Sequence, residues 1–235
     1  MTDQNADRQP ARIVLTYFDI PGSAEAIRLT FHIAGVPFVD RRIGREEFLE
    51  MKPDLPFGQL PILEVDGEVI PQSGSILRYV GKISGLYPED ALAAAQCDAV
   101  IDGMIDIQMA IRPTIYEKNL QRRAKLGKEL AAQTLPMWLG YMEKLLQKGG
   151  GEFFVGGSLT ICDLVIFTRM KWLQSGVLDC IPKDALDRFP LLSALTDRVC
   201  SHPKVTKYYQ ECQECGHNDG HSGNKVVLPD KTWVG

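Results

Sequence analysis

Basic residues are not in excess: 26 Lys and Arg against 30 Asp and Glu leave a net charge of −4. That balance removes any global electrostatic case for nucleic acid or an acidic membrane surface as partner. Long apolar runs are missing as well, and none approaches the roughly 18 residues that a membrane helix requires. The opening stretch "MTDQNADRQPAR" is polar and has no apolar core of the kind a secretory signal carries. Cysteine is sparse, with six residues at 97, 162, 180, 200, 212 and 215. Such scattered thiols do not make a disulfide scaffold, and reduced cysteines in the cytoplasm are the simplest reading. Neither a phosphate-binding loop nor a dinucleotide fingerprint is present. What remains is an ordinary globular composition, 45% hydrophobic and 24% charged over 235 residues, enough for one large core or two smaller ones.

Two compositional regimes follow one another. "RIVLTYF" (12–18) is a β-rich apolar run, closed by the turn signal Pro21-Gly22. "SAEAIRLTFHIAG" (23–35) has helical spacing, with Gly35 where a left-handed cap belongs. "VPFVDRRI" (36–43) returns to strand character, so the start reads β-α-β with parallel strands. After a short helical "EEFLEM", the segments "LPILEV" and "EVIP" predict an antiparallel hairpin through Asp66-Gly67. "SGSILRYVGKIS" then reads as a helix with Ser73 as its cap. The order β-α-β followed by β-β-α is that of a thioredoxin-like domain. Past "GLYPED" (85–90) no convincing strand pair remains. Helical spacing recurs at 93–111, 128–147, 164–176 and 190–202, which predicts an all-α second domain. We place the domains at 12–86 and 90–210, with a tail over 211–235. In "GGSLTICDL", Thr160 and Asp163 form an acidic variant of the capping box, with Leu159 and Leu164 at the staple positions; this is a folding device.

The chemistry-bearing residues gather in the first half. Pro61 opens a strand, where a cis peptide would turn the backbone of Leu60 toward an extended ligand; a plain edge-strand proline is the competing reading. Ser73 sits at a helix start, where a backbone N–H, a hydroxyl and the helix dipole together suit a carboxylate. A peptide edge beside a carboxylate cradle points to a small peptide ligand with its own α-carboxylate.

The stretches "LTYFDIPGSAEAIR" (15–28), "LPFGQLPILEVDG" (55–67), "QSGSILRYVGKISGLY" (72–87) and "SLTICDL" (158–164) resemble the cytosolic glutathione transferases, tyrosine-type and most similar to the sigma class, over roughly residues 12–209. The resemblance implies a thioredoxin-like N-terminal domain joined to an all-helical one, and a transferase that activates the glutathione thiolate for attack on small hydrophobic electrophiles. Tyr17 then donates a hydrogen bond to the sulfur. One hydrogen bond to a charged acceptor contributes about 1.5–3 kcal/mol, close to the ~2.7 kcal/mol that lowers a thiol pKa by two units. Gln72 and Ser73 hold the γ-glutamyl end, Leu60 pairs its backbone with the cysteinyl unit ahead of Pro61, and Lys52 and Gln59 serve the glycyl end. Asp106 reaches a neighbouring subunit's ligand, which implies a homodimer. Glutathione is a cosubstrate; no bound cofactor and no metal are implied.

Two departures stand out. Ser23 occupies a position where tyrosine-type relatives commonly carry arginine, and serine-type relatives use a serine of a "PGS" motif on the sulfur. Ser23 is therefore the activating hydroxyl, a second donor, or the cap of the first helix. Phe48 falls where many relatives place a tryptophan and cannot donate; it either replaces that contact with packing or leaves it to another group. Ile20, Met109 and Tyr116 are candidate walls for the electrophile. In the tail, Cys212, Cys215, His217 and His221 can be drawn as a zinc pattern that matches no trusted module. A flexible tail whose Trp233 covers the pocket is the alternative. Two rival functions stay open: a non-enzymatic binder of hydrophobic ligands, as the lens crystallins of this family are, and a glutathione-dependent isomerase of the prostaglandin D synthase type.

Overall fold

The computed structural model describes residues 11–178 and 180–216. Its first half is built on strand β1 (Ile13–Phe18), whose six residues "IVLTYF" are almost wholly buried because neighbours flank it on both sides. Helix α1 (Glu25–Ala34) crosses over to β2 (Val39–Ile43), which pairs in parallel with β1 from Val14↔Val39 to Phe18↔Ile43. A short helix, α2 (Arg45–Met51), leads on to β3 (Ile62–Val65) and β4 (Glu68–Pro71). These two strands form the expected hairpin, with Asp66 at φ 50° and Gly67 at φ 91°. Both values are left-handed, the signature of a two-residue turn whose twist matches the strands. The sheet order is β2-β1-β3-β4, mixed in direction. Gly35, at φ 71°, closes α1 as expected.

Helix α3 (Ser73–Ile83) packs beside α1 on this sheet. The second half is helical: α4 (Ala91–Tyr116), α5 (Leu120–Glu129), α6 (Leu135–Lys148), α7 (Ile161–Gln174), α8 (Pro190–Cys200) and α9 (Pro203–Glu214). Helix α1 is buried on nearly every side because α7 and α9 press on the surface that the sheet leaves free. Each large apolar side chain so enclosed contributes about 1.5–3 kcal/mol. One contiguous core therefore runs from Leu15 and Phe31 through Ile101 to Phe167 and Leu195.

The helix expected over 128–147 is not a single α-helix. A π-helical turn, Leu130–Thr134, joins α5 to α6. Pro136 supplies the reason, since it has no N–H for the preceding turn and its ring crowds the carbonyl four residues back. Helices α5 and α9 have no counterpart in the sequence reading. Helix α5, "LQRRAKLGKE", is mostly charged and shows little apolar periodicity. The box at Thr160 forms as expected: Asp163 Oδ2 accepts from Thr160 N at 2.8 Å, and Asp163 Oδ1 accepts from Phe154 N at 2.9 Å. Helix α9 carries Cys212 into the core and leaves Cys215 exposed at its end, while His217, His221 and Trp233 lie outside the described residues. Among the described residues, no group of three or more His, Cys, Asp or Glu is placed to hold a metal, and no helix is long and apolar enough to cross a membrane.

Candidate active site at the end of the first strand

Strand register gathers the candidates at one end of the sheet. Thr16 faces Ile62 on β3, and Ile62 faces Pro71 on β4. One step further along each strand come Tyr17, Pro61 and Gln72. The Leu60–Pro61 peptide is cis, as expected. Leu60 is half-buried, Gln59 exposed, and Lys52 lies with its ammonium 5.9 Å over the Phe48 ring.

Tyr17 is 8% exposed, held between the sheet and the loop that leads into α1. Its Oη accepts a hydrogen bond from the Ser23 backbone N–H at 3.2 Å. The phenol has one proton to give and has received one from the backbone, so its own O–H is left to donate elsewhere. Gly22 makes this approach feasible. Its φ is +46°, and a Cβ placed there would stand 2.6 Å from Tyr17 Oη and 2.8 Å from Cε1. Only glycine suits both the backbone angle and the space.

The loop itself is held by Arg28, a fully buried guanidinium on α1. Its Nη1 donates to Ile20 O at 2.9 Å, Nη2 to Phe18 O at 3.3 Å, and Nε to both carboxylate oxygens of Asp40, at 3.0 and 3.1 Å. Two partners keep it charged against the cost of burial: Glu25, itself pushed up by burial, and Asp40. Arg28 also stands 5.8 Å from the centre of the Tyr17 ring. Sequence reasoning missed it; the signal was a charged pair, Glu25 and Arg28, three residues apart inside an apolar run.

Several expectations need correction. Ser73 is the first helical residue of α3, not its cap; the cap position belongs to Gln72, whose side chain makes no capping bond. Gln72 has φ 70°, a left-handed angle that costs a non-glycine residue about 1–2 kcal/mol. Strain of this kind concentrates at ligand clamps. Nor does Ser23 cap α1: that position is Ala24, again with no side-chain bond. The Ser23 hydroxyl instead accepts from Gln108 Nε2, on α4, at 3.4 Å. Phe48 is buried and meets Phe18 edge-on, with ring centres 5.2 Å apart.

Of the acidic stripe on α4, Asp98 and Asp102 are not simply solvated. Both are held by Arg78 of α3, at 2.7 and 2.6 Å. Asp106, the third of the series, is exposed. Tyr116 is half-buried, and burial together with the nearby Tyr17 pushes its phenol up, whereas Met109 is 57% exposed. Ser23, Ser73, Met104, Gln108, Thr168 and Arg169 line one cavity between the two halves. Gln108 and Arg169 were also missed; Arg169 and Lys171 are the two charges within the otherwise apolar "VIFTRMKWL".

Comparison with known proteins agrees with this geometry. Residues 13–82 match the glutathione S-transferase N-terminal domain and residues 105–211 the C-terminal domain. Glutathione S-transferase 1 of Ascaris suum is 40% identical over 202 residues, covering 84% of this chain and 95% of the relative. Hematopoietic prostaglandin D synthase of Gallus gallus is 34% identical over 198 residues, covering 84% and 94%. The crystal structure of the glutathione S-transferase from Ascaris lumbricoides superposes with a TM-score of 0.77 at 38% identity, covering 85% of this chain and 97% of that one. With both halves matched in order and the sheet and helices in place, the chain belongs to the glutathione S-transferase family and is an enzyme of that class, a thioredoxin-like domain followed by a helical one.

Proposed function

We propose that this enzyme binds glutathione along residues 12–86, ionises its thiol against Tyr17, and directs the sulfur at a small hydrophobic electrophile held by the helical half, residues 90–210. The observation that carries the reading is the Tyr17 hydroxyl, fixed by the Ser23 N–H so that its own proton is free to donate. A thiolate that accepts this proton's hydrogen bond is selectively stabilised over the neutral thiol, which lowers the thiol pKa.

Leu60 supplies backbone groups for the cysteinyl unit. Gln72 and Ser73, at the strained start of α3, cradle the γ-glutamyl carboxylate, with the helix dipole in support. Lys52 and Gln59 face the glycyl end, and Phe48 contributes packing. Asp106, exposed beyond the two carboxylates that Arg78 holds, is free to meet a ligand in a second copy, which supports a homodimer. Ile20, Met109 and Tyr116 border the electrophile. Conjugation of such electrophiles supports a detoxifying role, which we place in the cytoplasm. The prostaglandin isomerase reading is not favoured, because the Ascaris suum transferase is the more similar of the two relatives compared.

The test is the ultraviolet absorbance of the bound thiolate, titrated against pH, together with turnover of a generic aryl halide. Tyr17→Phe raises the pKa of the bound thiol by at least about one unit, or ~1.4 kcal/mol, and slows conjugation in step. A wild-type protein that takes up no glutathione, or a phenylalanine variant with an unchanged thiol, sinks the proposal.

A further inference from the structure

Arg169, on α7, is a cation without an acidic partner among the described residues. Its Nη2 donates to Gln108 Oε1 at 3.1 Å, its Nε lies 3.2 Å from Met104 Sδ, and its guanidinium stands 4.8 Å from the centre of the Trp172 ring. Among the described residues no carboxylate acts on it; the ionisable group that does is Tyr17. Burial lowers its pKa to about 10, so it stays charged at neutral pH. Leaving a desolvated guanidinium uncompensated costs free energy, and such a cost is retained where the charge has a use.

The direction of the hydrogen bonds is fixed by chemistry. A guanidinium only donates, so the amide oxygen of Gln108 must face Arg169 and the amide nitrogen must face Ser23. Ser23 Oγ therefore accepts, at 3.4 Å. A hydroxyl that accepts on that side has its own proton left to place. Ser23 N–H is already committed to Tyr17 Oη at 3.2 Å. One continuous path thus runs from Arg169 through Gln108 and Ser23 to Tyr17, crossing from the helical half to the end of β1.

We propose that Arg169 is a positioning residue for the sulfur site: through Gln108 it sets the Ser23 hydroxyl as a second donor to the thiolate beside Tyr17, and it brings an unpaired positive charge toward the same anion. The proposal rests on the glutathione reading above. It makes the site a joint product of both halves, since the β1–α1 loop alone does not orient Ser23. Among the described residues, Arg28 from α1 stands over the Tyr17 ring, and Tyr17 acts electrostatically on Tyr116 from α4 and on Arg169 from α7. Removing Arg169 leaves the other two unchanged.

The experiment is the pH titration of bound glutathione thiolate in the wild type and in Arg169→Met, Arg169→Lys, Gln108→Leu and Ser23→Ala. Arg169→Met raises the thiol pKa by about 0.5–1 unit, a three- to tenfold loss of the thiolate-to-thiol ratio at a given pH. Arg169→Lys recovers part of the shift, because the charge remains while the planar fork is lost. Gln108→Leu gives a smaller rise, and adding Ser23→Ala to it changes nothing more, because both break the same path. Should Arg169→Met fail to fold, Gln108→Leu and its double variant carry the test. A thiol pKa that neither Arg169→Met nor Gln108→Leu moves, with Tyr17→Phe still raising it, overturns this inference and leaves the glutathione reading intact. A wild-type enzyme that does not lower the thiol pKa at all overturns both.

Discussion

Arg28 and Arg169 are both removed from bulk water, and the molecule treats them in opposite ways. Arg28 is surrounded by acceptors: two loop carbonyls, the Asp40 carboxylate and Glu25. Arg169 has one amide oxygen, a thioether and an indole face. The first arrangement is structural, because every donor that burial strips of water finds a fixed partner, and the loop before α1 takes its shape from them. The second leaves charge unspent beside a cavity. A buried ion is stabilising only when its partners are present, so the difference between the two arginines separates scaffold from site.

The largest effect that would break this contrast is on stability. Arg28→Met strips the loop carbonyls and Glu25 of their guanidinium, leaves Asp40 to Arg42 alone, and should cost about 3–5 kcal/mol in urea unfolding. Arg169→Met orphans only one amide oxygen and removes a desolvation penalty, so it should cost less than about 1 kcal/mol. Equal costs would erase the distinction.

Next comes Asp163, the buried acid of the helical half. It accepts from the backbone N–H groups of Phe154 and Thr160, so Asp163→Ala should cost about 2–3 kcal/mol. Burial pushes its pKa up to about 6 despite these bonds. A folded-state pKa above the unfolded value gives a stability contribution that is full below about pH 4 and is lost as pH rises through about 6. The gap between wild type and the alanine variant should therefore narrow from pH 4 to 7; a gap that widens contradicts this assignment.

Smaller in stability than the loss of Asp163 is Gly22→Ala, about 1–2 kcal/mol from the left-handed backbone. Because the new Cβ would meet Tyr17 Oη, turnover should fall at least about tenfold while glutathione binding is largely kept. Unchanged turnover would mean that the position of the Tyr17 hydroxyl does not matter.

Much of the local structure in both halves is legible in the sequence. The turn at Asp66-Gly67, the cap at Gly35 and the Thr160 box are each written in a few adjacent residues, and each appears as read. Ser73 was misplaced by one position, because a cap is decided by backbone angles that depend on how β4 delivers the chain. A helix cap is one of the three roles that the sequence leaves open for Ser23, because local patterning offers it. Its actual partner, Gln108, lies 85 residues away. Helix α5 was invisible because its charged face gives no apolar period.

The sequence by itself determined much of the alternation of strands and helices, the turn geometry and the candidates Pro61 and Ser73, since each depends on steric and hydrogen-bonding preferences within a few residues; Tyr17 and Gln72 joined them through the family resemblance. Only the tertiary structure decided what surrounds the Tyr17 hydroxyl. Gly22 beneath it, Arg28 behind the loop, and the path from Arg169 through Gln108 to Ser23 join three segments that share no local pattern. Charges and donors act through space, so their roles appear once packing has set the distances.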